Sequence, residues 1–122
     1  MKIAWEGFAG KQHSWSVVAQ NICSSLNELG HQVHLKSTNG YDHFPDHLKH
    51  LVVEKLDEIY DMQLSYTLML NFNKYLSRGK KNRFGIWNYE FTQLPMGHSK
   101  YHCFVDKILP SSNFSYQIFA DN

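Results

Sequence analysis

The residues best suited to chemistry lie in one stretch, residues 83–95, which reads RFGIWNYEFTQLP. Its apolar start is typical of a buried strand, and the three polar residues that follow are Asn88, Tyr89 and Glu90. Aromatic neighbours would partly desolvate the Glu90 carboxylate, which raises the pKa of a carboxyl group towards the range of a general base. Glu90 is therefore the candidate catalytic residue. An ordinary surface carboxylate explains the same pattern equally well.

A second candidate segment is the loop that follows the first apolar run. It contains Gly7 and Gly10, where the backbone could approach a ligand closely, and it ends at His13. The spacing is not G-x-G-x-x-G, Lys11 does not fit a Walker loop, and no acidic residue follows the second predicted strand. A dinucleotide site is therefore disfavoured. A plain turn between a strand and a helix accounts for the glycines as well as a ligand does.

The eight histidines call for a test of metal binding. His43, His47 and His50 have helical spacing, and His98 and His102 stand four residues apart. Neither group has a spaced further ligand such as H-E-x-x-H supplies, so we predict no metal site and no cofactor. The sequence also assigns no Ser-His-Asp or Cys-His pairing.

Length and composition indicate a single globular domain spanning residues 1–122. The chain is 43% hydrophobic and 19% charged, and its formal net charge is +1. A near-neutral chain gives no reason to expect a nucleic-acid partner. The start of the chain does not resemble a signal peptide, so we expect cytoplasmic residence. In that compartment Cys23 and Cys103 would both be buried free thiols.

Apolar periodicity predicts an α/β fold. The predicted strands are residues 2–5, 33–35, 64–70, 84–87 and 106–110. One helix would begin at the N-cap Ser14 and end before Gly30, and a last helix, residues 113–120, would be capped by Ser111 or Ser112. Strand–helix–strand crossovers produce parallel pairing. We therefore predict a Rossmann-like three-layer domain with a mostly parallel sheet of about five strands flanked by helices.

The segment that follows Asp46 is predicted to form an amphipathic helix of about a dozen residues. Leu48, Val52, Leu56 and Ile59 would share one face of this helix. Packing of that face on the sheet is the commoner use of the pattern, and peripheral contact with a membrane is the alternative.

Several short motifs, in this order, resemble the N-terminal domain of GT-B glycosyltransferases. The segments that carry the resemblance are MKIAW at 1–5 with its glycine loop, LGHQVHL at 29–35, WNYE at 87–90, LP at 94–95, VDKI at 105–108 and PSS at 110–112. Together they cover nearly the whole chain. The resemblance is to the large nucleotide-sugar-dependent family, whose helix-to-strand junction has the pattern L-x-x-x-G-H-x-V.

The resemblance implies a domain that mainly binds the acceptor, a glycan or a small molecule. The nucleotide-sugar donor would sit largely on a C-terminal domain with a paired-glutamate motif. The glycine loop would face the interdomain cleft near the donor phosphates, and Glu90 would lie on the acceptor side. Substrate contact is implied for Gly7, Gly10, His13, Trp87, Asn88, Tyr89, Ser111 and Ser112.

Two hypotheses about the chain are open, and only the first follows from this resemblance. In the first, the chain is a piece of a longer two-domain transferase, inactive alone, and its exposed interdomain face could drive self-association. In the second, it is a stand-alone, non-catalytic α/β module that binds a ligand or a protein.

Overall fold

The computed structural model describes residues 1–68, 82–88, 96–98 and 103–121. The predicted site residues Tyr89 and Glu90 lie outside this part of the chain. The strands are β1 (Lys2–Gly7), β2 (Gln32–Ser37), β3 (Met62–Leu68), β4 (Arg83–Asn88) and β5 (Lys107–Pro110). The helices are α1 (Ser14–Glu28), a 3₁₀ helix (Asp46–Leu51) and α2 (Asn113–Ala120).

The five strands form one sheet in the order β2-β1-β3-β4-β5, and every pair is parallel. The predicted Rossmann-like three-layer α/β fold is thereby confirmed. The sheet grows from β1 in one direction to β2 and in the other through β3 to β5, which is the doubly wound 2-1-3-4-5 order. Because all strands run the same way, their carboxyl ends lie along one edge, which we call the rim.

The main core lies between α1 and one face of the sheet, which we call the front face. Alternation along the strands brings Ile3, Trp5, Val33, Leu35, Leu64 and Tyr66 to this face, and all are buried. Ala19 and Cys23 of α1 pack into the same cluster and are 0% exposed. Ala4, Glu6, Gln63 and Ser65 alternate with the front-face residues and point to the opposite, back face.

The start of α1 differs from the prediction by one residue. His13, not Ser14, is the N-cap: its backbone is extended, and its Nδ1 accepts a hydrogen bond from the Trp15 backbone N–H at 3.2 Å. Ser14 is already helical. An imidazole nitrogen can accept from the first-turn N–H groups as a serine oxygen would, so the usual residue preference did not decide the position. Gly30 follows the helix with a φ of +88°, as predicted for a C′ residue.

The predicted helix after Asp46 is wrong beyond its first turns. The 3₁₀ helix ends at Leu51, and the backbone of Val52 is extended and forms a parallel bridge to Leu35 of β2. Bonding to the outer strand of the sheet therefore replaces the helix, and Ile59 is 91% exposed. The amphipathic helix on which the membrane-contact alternative rested does not form.

The last elements largely match the prediction. Ser112 caps α2 by accepting a hydrogen bond from the Ser115 backbone N–H at 3.1 Å. The cysteine prediction holds for Cys23, which is buried, and is wrong for Cys103, which is exposed. Among the described helices, none has the length and apolar character that crossing a bilayer requires.

Candidate functional site

The rim brings the two candidate segments to the same edge of the sheet. Gly7, at the carboxyl end of β1, pairs with Tyr66 of β3, and two residues further on Leu68 pairs with Asn88 of β4. Trp87 in turn pairs with Pro110 at the end of β5. The sheet reverses its direction of growth between β1 and β3, and ligands of open α/β sheets bind outside the carboxyl ends of strands at such a switch point.

Both glycines of the first loop are required by close backbone packing. A Cβ on Gly7 would lie 1.9 Å from the carbonyl oxygen of Tyr66, and one on Gly10 would lie 1.4 Å from that of Gly40. No side chain fits in either place without movement of the backbone. These approaches are made within the protein, so the turn accounts for both glycines, and ligand contact by Gly7 and Gly10 stays a prediction.

Three backbone N–H groups of this loop, those of residues 8–10, are bonded within the protein. Asn39 Oδ1 accepts from Ala9 N at 3.1 Å and from Gly10 N at 3.0 Å, and Phe8 N donates to the Tyr66 carbonyl at 3.1 Å. The Asn39 amide also donates to the Ser16 hydroxyl at 3.3 Å. Donor phosphates could bond to these N–H groups only by displacing such partners.

A run of aromatic rings leads from the loop into the core. The Trp15 ring lies 5.8 Å from Phe8, 5.7 Å from His13 and 5.9 Å from Tyr66, centroid to centroid. Tyr66 continues the run to Trp5, at 5.4 Å. Tilted and edge-on contacts at these separations are favourable for aromatic pairs. The rings fix the position of His13 and hold Trp15 at the boundary between core and solvent.

An open cleft lies beside this aromatic run, between α1 and α2 and above strands β3 and β4. Its volume is about 770 Å³, within the range of small-molecule sites. The described residues that line it are Ser14, Trp15, Val18, Ile22, Tyr66, Ile86, Ser111, Ser112, Phe114 and Ser115. None of these ten carries a charge. The cleft therefore offers apolar and aromatic surface with hydroxyl groups among it.

The predicted substrate-binding residues separate into three groups. Ser111 and Ser112 line the cleft, whereas Gly7, Gly10 and His13 belong to the neighbouring loop. Trp87 is only 1% exposed: its ring lies over Gly85, and its centroid is 6.2 Å from that of Phe119. Asn88 ends β4 at the rim, and Tyr89 and Glu90 are outside the described residues.

One notable carboxylate, Glu6, was absent from the sequence-based site. It is the penultimate residue of β1, half-buried on the back face, where its register neighbours are Lys36 and Ser65. Burial raises the pKa of Glu6 to about 7, and the positive charge of Lys36 opposes that rise. The Ser65 hydroxyl is buried and has no hydrogen-bond partner in the described part of the chain. Extending the strand alternation of Ala4 by two residues would have placed Glu6 on this face.

Within residues 1–68, 82–88, 96–98 and 103–121, no three His, Cys, Asp or Glu side chains converge as metal ligands would. Among the described residues, the rim carries hydroxyl groups, aromatic rings and, on the back face, the Glu6 carboxylate. In comparisons with known proteins, no family model, curated protein or solved structure matches this chain.

Proposed function

We propose that this chain is the acceptor-side domain of a cytoplasmic glycosyltransferase that uses a nucleotide-sugar donor. The donor would bind mainly to a second domain, and the acceptor would bind at the rim of the sheet. The single observation that carries the proposal is that the β1 loop and the end of β4 lie on the same edge of the sheet, on either side of β3. The sequence motifs that resemble GT-B enzymes contribute those same two segments, so their juxtaposition is what the proposal requires.

The proposed reaction assigns a limited task to this domain. An acceptor hydroxyl oxygen forms a bond to the anomeric carbon of the donor sugar while the bond to the nucleoside diphosphate breaks, and the hydroxyl proton passes to a base. The domain would hold the acceptor in register for that attack. Positioning of this kind lowers the barrier by removing translational and rotational freedom before the reaction.

The cleft also supports a role in excluding water. Its apolar floor, which includes Ile86 and Tyr66, would exclude water from one side of a bound acceptor. Closure of a second domain over the rim would remove the rest of the water. Such exclusion suppresses hydrolysis of an activated sugar donor.

Expression of the domain with and without the coding sequence that follows residue 122 in its gene tests the proposal. With that sequence present, labelled sugar should pass from one of the UDP-, GDP- or ADP-sugars to a glycan acceptor. The 122-residue chain alone should transfer none. Transfer by the chain alone, or a reading frame that stops at this point, would contradict the proposal.

One observation favours the second candidate, a stand-alone ligand-binding module. Asn39 and Tyr66 accept hydrogen bonds from the N–H groups of residues 8–10, so these three groups are bonded without any donor phosphate. A module of this kind would bind its ligand in the cleft and leave nucleotide-sugars unbound and unchanged. Ligand binding together with a stop codon after residue 122 would establish this second function.

A further inference from the structure

We infer that the cleft between α1 and α2 binds an uncharged, hydroxyl-bearing ring, of which a pyranose is the simplest example. Trp15 would provide the surface against which the ring packs, and the hydroxyls of Ser14 and Ser111 would bond to its hydroxyl groups. This inference deepens the proposed function and rests on it only in naming the ligand an acceptor.

The polar groups of the cleft define the first half of the ligand's chemistry. Ser14, Trp15 and Ser111 line the cleft, and their hydroxyl and indole N–H groups form no hydrogen bond with any described residue. The Ser112 hydroxyl, by contrast, is engaged with the backbone N–H and hydroxyl of Ser115. A wholly apolar ligand would leave three polar groups without partners, which is costly once water is excluded.

The uncharged character of the described lining defines the second half. No lysine, arginine, aspartate or glutamate is among the ten residues that line the cleft. A phosphate or carboxylate in this cleft would lose hydration without gaining an ionic partner among the described residues. An uncharged ligand with hydroxyl groups avoids both penalties, because it satisfies the serines and brings no charge into the cleft.

The shape of the lining favours a ring with one apolar face. Trp15 and Tyr66 present aromatic surface, Ile86 lies on the floor, and Val18 and Phe114 remain 44% and 48% exposed. The C–H face of a pyranose can cover such surface while its hydroxyls point along the edges towards the serines. A volume of about 770 Å³ leaves room for more than one ring. A disaccharide or a sugar with an apolar aglycone therefore fits the inference.

The three tryptophans provide a direct readout of binding. Trp5 and Trp87 are 0% and 1% exposed, and Trp15 is the half-buried one that lines the cleft. In ¹⁵N–¹H spectra of the 122-residue chain, the Trp15 indole signal, assigned with Trp15→Phe, should move on titration with methyl β-glucoside, maltose or cellobiose. The backbone signals of Ser14 and Ser111 should move with it. Glucose 6-phosphate and glucuronate should bind roughly ten-fold more weakly.

Two adjacent valines supply a matched pair of variants. Val17 is 54% exposed and outside the cleft, whereas Val18 is 44% exposed and lines it. Val18→Trp places an indole in the cleft and should weaken binding of the sugar that binds wild type best by about ten-fold or more. Val17→Trp adds the same bulk to the same turn and should change binding less than about two-fold.

Three results would overturn the inference. They are no indole shift with any uncharged sugar up to the solubility limit, tighter binding of the charged sugars, and equal losses in the two valine variants. Failure of sugar transfer with binding intact would refute the proposed function alone. Transfer that persists in Val18→Trp would refute this site alone.

Discussion

The half-buried Glu6 should make the stability of the domain depend on pH. Its pKa is raised to about 7 in the folded chain from an ordinary value of 4.5, chiefly by burial. The folded state therefore binds more protons than the unfolded state between these two values. Stability must fall as the pH rises through that window and then level off above about 7. Glu6→Gln removes the titrating group and should remove this slope.

The shift also sets the size of the effect. For a carboxylate fully shielded from water, the shift would correspond to about 3 kcal/mol. Glu6 is only partly buried, and solvent screening reduces the expected effect to roughly 1–2 kcal/mol. The free energy of unfolding of Glu6→Gln should therefore exceed that of wild type by about 1–2 kcal/mol at pH 8. The two proteins should nearly coincide at pH 4.5 or below, where both side chains are neutral.

Urea denaturation followed by circular dichroism at pH 4.5, 6, 7 and 8 measures this difference. Glu54→Gln, at an exposed position, is the matched control and should keep the wild-type slope. A Glu6→Gln variant that is less stable than wild type at pH 8 would contradict a raised pKa of Glu6. So would a difference between the two proteins that is the same at every pH.

Two substitutions in the loop at the rim and one thiol titration of the native protein test the packing further. Asn39→Ala removes the acceptor for two loop N–H groups and should cost about 1–3 kcal/mol of unfolding free energy, measured by urea denaturation; an unchanged midpoint would contradict the described loop. Gly10→Ala drives a Cβ into the Gly40 carbonyl and should lower the melting temperature, with a cost of at least about 1–3 kcal/mol. In the native protein Ellman's reagent should titrate the exposed Cys103 and spare Cys23, whose pKa burial raises to about 12; two fast-reacting thiols would contradict this.

Local patterns were enough to predict the sheet. Apolar runs bounded by glycine loops, with a helical apolar face between the first two, permit few arrangements other than parallel crossovers. Gly30 and the cap of α2 followed from the same local rules. The predicted strands all exist, with ends displaced by a few residues, because strand ends depend on pairing partners that a single segment does not specify.

The errors arose where tertiary contacts override local pattern. The apolar spacing after Asp46 has a helical period, yet the chain leaves the 3₁₀ helix so that Val52 and Val53 can bond along β2, where Val53 N donates to the Leu35 carbonyl. Trp87 is buried, as its place in an apolar run predicted, and alternation along β4 directs its ring to the back face over Gly85; ligand contact by Trp87 stays a prediction. Alternation along the strand decides which face of the sheet a side chain occupies, and the residue types next to it in sequence do not.

The candidate site was only partly predictable for the same reason. The sequence indicated the two rim segments and Ser111 and Ser112, but not the cleft to which these serines belong. That cleft needs α1 and α2 on either side of Tyr66 and Ile86, residues far apart along the chain. Trp15 was missed because its neighbours in sequence give no sign that its ring lines the cleft.

We propose that this domain holds a sugar acceptor in the cleft at the rim. The rate of sugar transfer to maltose or cellobiose tests this proposal when the chain is expressed with any coding sequence that follows residue 122 and Val18→Trp is compared with Val17→Trp. Transfer should be largely lost in Val18→Trp and retained in Val17→Trp. Equal rates in the two variants, or no transfer by the wild type to any uncharged glycan, would contradict it.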